Sequence, residues 1–182
     1  IGGFVPTVVK RVMGQLGIET LEPSVVSYGE LIPGLQARRW DMIAASFRLT
    51  AERCGQVLFT DPVTFDGAAI AYLAEQMSTV PTNISDLAGG SETVGVLQGS
   101  YLVKRAVDLG IAENRLLQYP SNPALNDGLQ VGRVGAVIST NATLRLLQGK
   151  RGGFEIAYPL SDDPPVGSGP AFSLEDTELH AA

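Results

Sequence analysis

The chain has 182 residues, 45% of them hydrophobic and 18% charged, with a net charge of −6. This is the balance of an ordinary globular protein rather than a disordered one, and the length suits one large domain or two small lobes. The acidic balance argues against nucleic acid as a partner, because no basic stripe is present to release phosphate counterions.

No apolar run approaches the ~20 residues of a membrane span. A single cysteine, Cys54, excludes an internal disulfide, and with one histidine, His180, there is no zinc constellation. The same scarcity excludes Cys–His catalysis and makes a Ser–His triad implausible, since His180 lies two residues from the end. No motif calls for a cofactor. No signal-peptide pattern is present and the first residue is not Met, so the chain reads as a mature or trimmed product.

The opening "GGFVPTVVKRVMGQLGI" predicts a helix from about Pro6 to Leu16, with Val8, Val9, Val12 and Met13 on one face. Pro6 suits an early helical position and Gly17 a stop. "PSVVSY" (23–28) reads as a short strand. "GELIPGLQARRW" (29–40) reads as a second helix, with Pro33 tolerated in its first turn. "DMIAAS" (41–46) is then a buried strand.

The next stretch, "SFRLTAERC" (46–54), has Thr50 as a good N-cap, which places Arg53 in the first turn of a helix. A cation is mildly unfavourable there, because the helix N-terminus carries partial positive charge. Two explanations follow: an ion-pair partner such as Glu52 or Asp61, or an external anion held by the planar guanidinium.

Further on, "AAIAYLA" (68–74) predicts a central strand, and the polar, turn-rich 75–92 a connector into a second lobe. There the pattern restarts: strand "TVGVL", turn and helix "GSYLVKRAVDLG", strand "RLLQYP", helix "NPALNDGLQVGR", strand "GAVIST", helix "NATLRLLQGK" and strand "FEIAYP". Such alternation indicates βαβ units and a parallel sheet. One echo stands out: 34–46 and 128–140 align without a gap at an offset of 94, pairing Ser46 with Thr140. The predicted architecture is α/β in two lobes, residues 1–72 plus 168–182 and residues 78–164, with hinge segments near 72–77 and 164–168. Ligands of open α/β sheets bind outside the carboxyl ends of strands, so Ser46 and Thr140 are expected to face an interlobe cleft.

The block 28–62, "YGELIPGLQARRWDMIAASFRLTAERCGQVLFTDP", resembles the extracytoplasmic solute-binding proteins of ABC importers, in the family that takes polar amino acids and related solutes. The aromatic Tyr28, "GLQARRWD", "DMIAA", "TAER" (50–53) and "FTDP" (59–62) follow that family's run, and "VGVLQGSYLVK" (94–104) and "DGLQVGRVGAVIS" continue it. "YGELIPGLQARRWD" and "ERC" are similar to the ectoine and hydroxyectoine binders. The resemblance implies a two-lobed fold of the type II periplasmic-binding class, closing around its ligand. It also implies that the family's first strand would precede Ile1 and its closing helix would follow Ala182.

By the same resemblance, Arg53 clamps a ligand carboxylate, Tyr28 stacks on the ligand, and Ser46 and Arg48 supply contacts at a strand end. Arg48 departs from the small hydroxyl or aromatic residue usual there; it either adds a second anionic contact or lies in solvent. Gly99, Ser100 and Tyr101 meet the carboxylate from the second lobe. Thr140 stands where many α-amino-acid binders carry an aspartate, which favours a solute with a shielded or delocalised cation, or an anionic one. The implied partners are a small carboxylate-bearing solute and a membrane permease, and the implied location is periplasmic. Two other readings are a cyclohexadienyl dehydratase-like enzyme, which needs an acid that positions 46, 48, 53, 101 and 140 lack, and the ligand-sensing module of a membrane receptor. Cys54 reads as a small core residue and His180 as a solvated one near a helix end.

Overall fold

A computed structural model describes residues 2–77 and 79–181. In chain order its elements are α1 (Phe4–Gln15), α2 (Leu31–Gln36), β1 (Met42–Arg48), α3 (Ala51–Cys54), β2 (Leu58–Phe59), β3 (Thr64–Asp66), β4 (Ala68–Tyr72), β5 (Val94–Leu97) and α4 (Tyr101–Asp108). They continue with β6 (Leu116–Tyr119), α5 (Asn122–Gln130), β7 (Ala136–Thr140), α6 (Asn141–Arg151), β8 (Glu155–Ala157), β9 (Val166–Phe172) and α7 (Thr177–Ala181). Short 3-10 turns lie at Tyr28–Glu30, Ala74–Gln76, Ile84–Leu87 and Glu113–Arg115. The chain forms two compact units, residues 1–65 with 166–182 and residues 66–165.

The first unit is built around β9. β1 and β2 pair with it antiparallel on either side, and β3 also joins it. This sheet is therefore not the parallel one that strand–helix alternation suggests. The sequence "VGSGPAF" hides β9, because glycine and proline weaken a strand pattern. The structure explains one of those glycines: a Cβ on Gly169 would sit 2.9 Å from the Thr60 hydroxyl and 3.3 Å from the Asp61 carbonyl. Val5, Val9 and Met13 of α1 pack with Phe172, Met42 and Ala44 on one side of the sheet. Ile43, Phe47, Leu35, Val57 and Ala171 form the core of the other. Alternation along β1 thus divides its residues between two cores.

Four expectations for this unit need correction. Residues 23–28 form no strand; they pair with no sheet edge, and Val25 is 86% exposed. The second helix stops at Gln36, because Arg38 turns left-handed (φ 55°) and Trp40 folds back to donate its indole N–H to the Leu31 carbonyl at 3.1 Å. Cys54 is exposed at the end of the one-turn α3, not in the core. His180 is half-buried rather than solvated: its Nε2 lies 2.7 Å from the Phe59 carbonyl oxygen, and its ring stands edge-on to Phe172.

The second unit holds a five-stranded sheet in the order β6-β5-β7-β4-β8. β5 runs parallel to β6 and β7, whereas β4 is antiparallel to β7 and β8. All five residues of β4 are buried, alternating between the core under α4 and the core under α5 and α6. β4 pairs with β7 from Ala68↔Thr140 to Tyr72↔Ala136, so it belongs to this unit. The first crossing therefore falls between Phe65 and Asp66 rather than near 72–77, and the second between Pro165 and Val166.

The internal echo is a shared helix stop. Arg38 (φ 55°) and Gly132 (φ 68°) occupy equivalent left-handed positions. Arg39 N–H bonds to Gly34 O and Arg133 N–H to Gly128 O, both at 2.9 Å. This is the hydrogen-bond pattern that ends many helices. Gly34 and Gly128 also each make room for an aromatic ring, Trp40 and Tyr119 respectively. Among the described residues no helix is long and apolar enough to cross a membrane, and no group of His, Cys, Asp or Glu could hold a metal ion.

Candidate functional site

Arg53 is placed by its own backbone. The Thr50 hydroxyl accepts from the Arg53 N–H at 3.3 Å and starts α3. That turn sends the guanidinium inward, where the residue is only 7% exposed. Its Nη1 donates to the Arg48 carbonyl at 3.1 Å and to the Tyr28 hydroxyl at 3.4 Å. The guanidinium carbon lies 4.0 Å from the centre of the Phe47 ring and 5.6 Å from that of Tyr28. Phe47 in turn meets Tyr28 at 5.6 Å and stacks on Phe59 at 5.8 Å.

Neither Glu52 nor Asp61 supplies an ion pair. Among the described residues no carboxylate lies within 4.0 Å of Arg53, and the Nε–Nη2 edge has no hydrogen-bond acceptor. A buried cation is ordinarily paired, because leaving water unpaired is costly. Here aromatic faces and two neutral oxygens steady the charge and leave one edge of the fork unpaired.

The first unit thus brings together Tyr28, Arg53 and the backbone of Arg48. Ser46 is exposed, and alternation on β1 puts it and Arg48 out of phase with Phe47. The register of β1 on β9 shifts between Ile43 and Phe47, the kind of irregularity that re-aims side chains beside it.

In the second unit Gly99 adopts φ 74°, the left-handed turn that admits glycine most readily, and Ser100 caps α4 by position only. The Ser100 hydroxyl makes no cap bond; it is buried without a partner. Tyr101 donates its hydroxyl to Asp163 at 2.9 Å. Thr140 caps α6: its hydroxyl accepts from Thr143 N–H at 3.3 Å and donates to Thr143 Oγ1 at 2.9 Å. A separate groove of about 510 Å³, bordered by Glu75, Gln148 and Phe154 among others, contains none of these residues.

Three contributors escape a reading of the sequence. Phe47 carries the stacking that holds Arg53. Asp66 lays a carboxylate on the N-terminus of α6, accepting from Ala142 N–H at 2.9 Å and Gly67 N–H at 3.0 Å. Asp163, 4% exposed, accepts from Ala68 N–H at 3.0 Å as well as from Tyr101. Only the turn "FDG" hints at the second of these; the others depend on residues far apart in sequence.

Residues 1–182 match the bacterial extracellular solute-binding proteins, family 3. The chain belongs to that family. It is 28% identical over 167 residues to a "probable amino-acid ABC transporter periplasmic-binding protein" of Sinorhizobium fredii, covering 89% of this chain and 54% of that protein. The chain therefore spans about half the length of that relative. Among solved structures, EhuB in complex with hydroxyectoine superposes with a TM-score of 0.90 at 27% identity, over 97% of this chain and 70% of EhuB. The arginine-bound form of truncated ArgBP from T. maritima gives 0.86 at 27%, over 100% and 82%. An ancestral arginine-binding protein bound to glutamine gives 0.86 at 25%, over 98% and 77%. The α/β fold in two units is shared with these binding proteins.

Proposed function

We propose that this chain is the receptor part of an ABC importer, capturing a small polar solute through its carboxylate and passing it to a membrane permease. Arg53 carries the reading. A buried guanidinium stacked on Phe47, with no carboxylate of its own and an unpaired Nε–Nη2 edge, suits two parallel hydrogen bonds to a carboxylate from outside. Hydroxyectoine, arginine and glutamine, the molecules bound to the structural relatives, all carry that group.

Around that anchor, Tyr28 offers a ring face and Ser46 and Arg48 line the strand end. Within the second unit, the residues proposed to meet a solute are Gly99, Ser100, Tyr101 and Thr140. Thr140 is neutral and already engaged in capping, which favours a delocalised cation over a primary ammonium. The solute is bound and released unchanged, because positions 46, 48, 53, 101 and 140 provide no acid for proton transfer. The relatives' extracytoplasmic naming supports the same location here.

Titration calorimetry with hydroxyectoine, L-arginine and L-glutamine tests this reading. At least one should bind the parent chain and bind Arg53→Ala far more weakly. Equal binding to both forms would remove the carboxylate clamp.

A further inference from the structure

Within the second unit, three consecutive residues, Asp66, Gly67 and Ala68, clasp the turn that carries Thr140. Ala68 lies opposite Thr140 in the pairing of β4 with β7. The Asn141 N–H donates to the Gly67 carbonyl at 3.0 Å. The Ala142 N–H donates to Asp66 Oδ2 at 2.9 Å, while Asp66 Oδ1 accepts from the Gly67 N–H at 3.0 Å. Each residue from 140 to 142 is thus fixed by one residue of the clasp.

The clasp is itself held from behind. The Ala68 N–H donates to the buried Asp163 carboxylate at 3.0 Å. A Cβ on Gly67 would lie 3.0 Å from the Asp163 carbonyl oxygen, 3.3 Å from the Pro165 nitrogen and 3.5 Å from the Pro164 carbonyl carbon. These are backbone atoms, which cannot turn aside as the end of a side chain can. Glycine is the residue that lets the chain at 67 lie this close to 163–165.

Forming α6 does not require this arrangement. Thr140 already caps the helix by accepting from the Thr143 N–H at 3.3 Å. The clasp takes two further N–H groups of the first turn, Asn141 and Ala142, which a cap leaves unsatisfied. It therefore closes those amides to an outside anion and fixes the place of the turn on the sheet.

We propose that Asp66 and Gly67 are positioning residues for the solute, acting through Thr140 rather than on the solute itself. This rests on the reading of Thr140 as a solute contact. Asp66 supplies the carboxylate that bridges Gly67 and Ala142, and Gly67 supplies the close approach that anchors the bridge.

Calorimetry with hydroxyectoine, L-arginine and L-glutamine tests this on the parent, Thr140→Ala, Asp66→Ala and Gly67→Ala. Each is measured at a temperature where circular dichroism shows it folded, and amide exchange at Asn141 and Ala142 follows the clasp directly. Asp66→Ala and Gly67→Ala should each bind the preferred probe about five- to tenfold more weakly, the worth of one solute hydrogen bond, and Thr140→Ala should lose about as much. Exchange at Asn141 and Ala142 should quicken in both clasp variants. A merely structural role would lower the unfolding midpoint and leave the affinity of the folded protein unchanged. If Thr140→Ala weakens binding while Asp66→Ala and Gly67→Ala bind as the parent does, the inference falls and Thr140 stands as a solute contact. If the parent binds none of the probes, or Thr140→Ala binds as tightly as the parent, that contact and the inference fall together. Should Asp66→Ala or Gly67→Ala unfold, Asp66→Asn keeps the side-chain shape and one acceptor oxygen. It should bind about threefold more weakly than the parent, and equal affinity overturns the inference.

Discussion

The guanidinium carbon of Arg53 lies over Phe47, 4.0 Å from the ring centre, and this contact stands where an ion pair would be expected. A desolvated cation over an aromatic face gains on the order of 2 kcal/mol, less than a buried carboxylate would supply. The difference is available to a ligand.

Arg53→Ala should therefore weaken binding of the confirmed solute by about 2–5 kcal/mol, the usual cost of breaking a desolvated charge pair. Apo stability should change little, because the lost packing on Phe47 is offset by removal of a cation from a helix start. Arg53→Lys should recover only part of the affinity, since a point charge cannot reproduce two parallel bonds. Calorimetry and thermal unfolding on the same samples separate the two effects; unchanged affinity with a large loss of stability would make Arg53 a structural residue.

Gly34 and Gly128 give a prediction about folding alone. A Cβ on Gly34 would sit 1.9 Å from the Trp40 ring, and one on Gly128 would sit 2.1 Å from the Tyr119 hydroxyl. Neither ring can retreat without leaving its core or, for Trp40, its bond to Leu31. Each Gly→Ala change should cost about 1–3 kcal/mol by overpacking, although alanine favours a helix elsewhere. Urea unfolding measures it. A neutral or stabilising result at either site would mean that the ring has a second rotamer.

Asp86 provides the pH dependence. The backbone N–H of Thr82, then its hydroxyl, and then the backbone and side chain of Asn83 hold its carboxyl below the ordinary aspartate range. A folded pKa below the unfolded one means stability that is present above about pH 4 and is lost as pH falls through the folded value. Asp86→Asn should be less stable than the parent at neutral pH, and the gap should narrow on acidification. A gap independent of pH between 2 and 7 would show that Asp86 acts through shape and not charge.

Much of the fold was legible because local chemistry agreed with tertiary need. Apolar periodicity predicted α1, β1, β4 to β8 and the helices between them, and Thr50 announced α3 and hence the place of Arg53. The failures are equally local in cause. β9 is written in glycine and proline, so nothing marked it as the strand that organises the first sheet. Val25 and Val26 look like a strand but find no partner. Strand order is absent from any single segment, so a parallel sheet was expected where β4 and β9 run antiparallel to their neighbours. Of the candidate site, Arg53 and Tyr28 could be named from the sequence as candidates. Phe47, Asp66 and Asp163 act across the fold, and no spacing betrays them.

Tyr101 and Asp163 are 62 residues apart, and the Tyr101 hydroxyl donates to the Asp163 carboxylate at 2.9 Å. Asp163 is 4% exposed and also takes the Ala68 N–H at 3.0 Å, so it ties the start of α4 to the start of β4. The guanidinium Nε of Arg105 lies 3.6 Å from its other oxygen, too long for a good bond but close enough for attraction. If the hydroxyl serves this network, Tyr101→Phe should lower stability by about 1 kcal/mol and leave the affinity for hydroxyectoine unchanged. Asp163→Ala should cost more, about 2–4 kcal/mol, because it leaves two donors and a cation without their acceptor. Adding Tyr101→Phe to Asp163→Ala should then cost almost nothing further, since the two share one interaction. Urea unfolding of the single and double variants gives the coupling. If Tyr101→Phe keeps full stability but binds the solute tenfold more weakly, the hydroxyl faces the ligand and the tie to Asp163 is incidental.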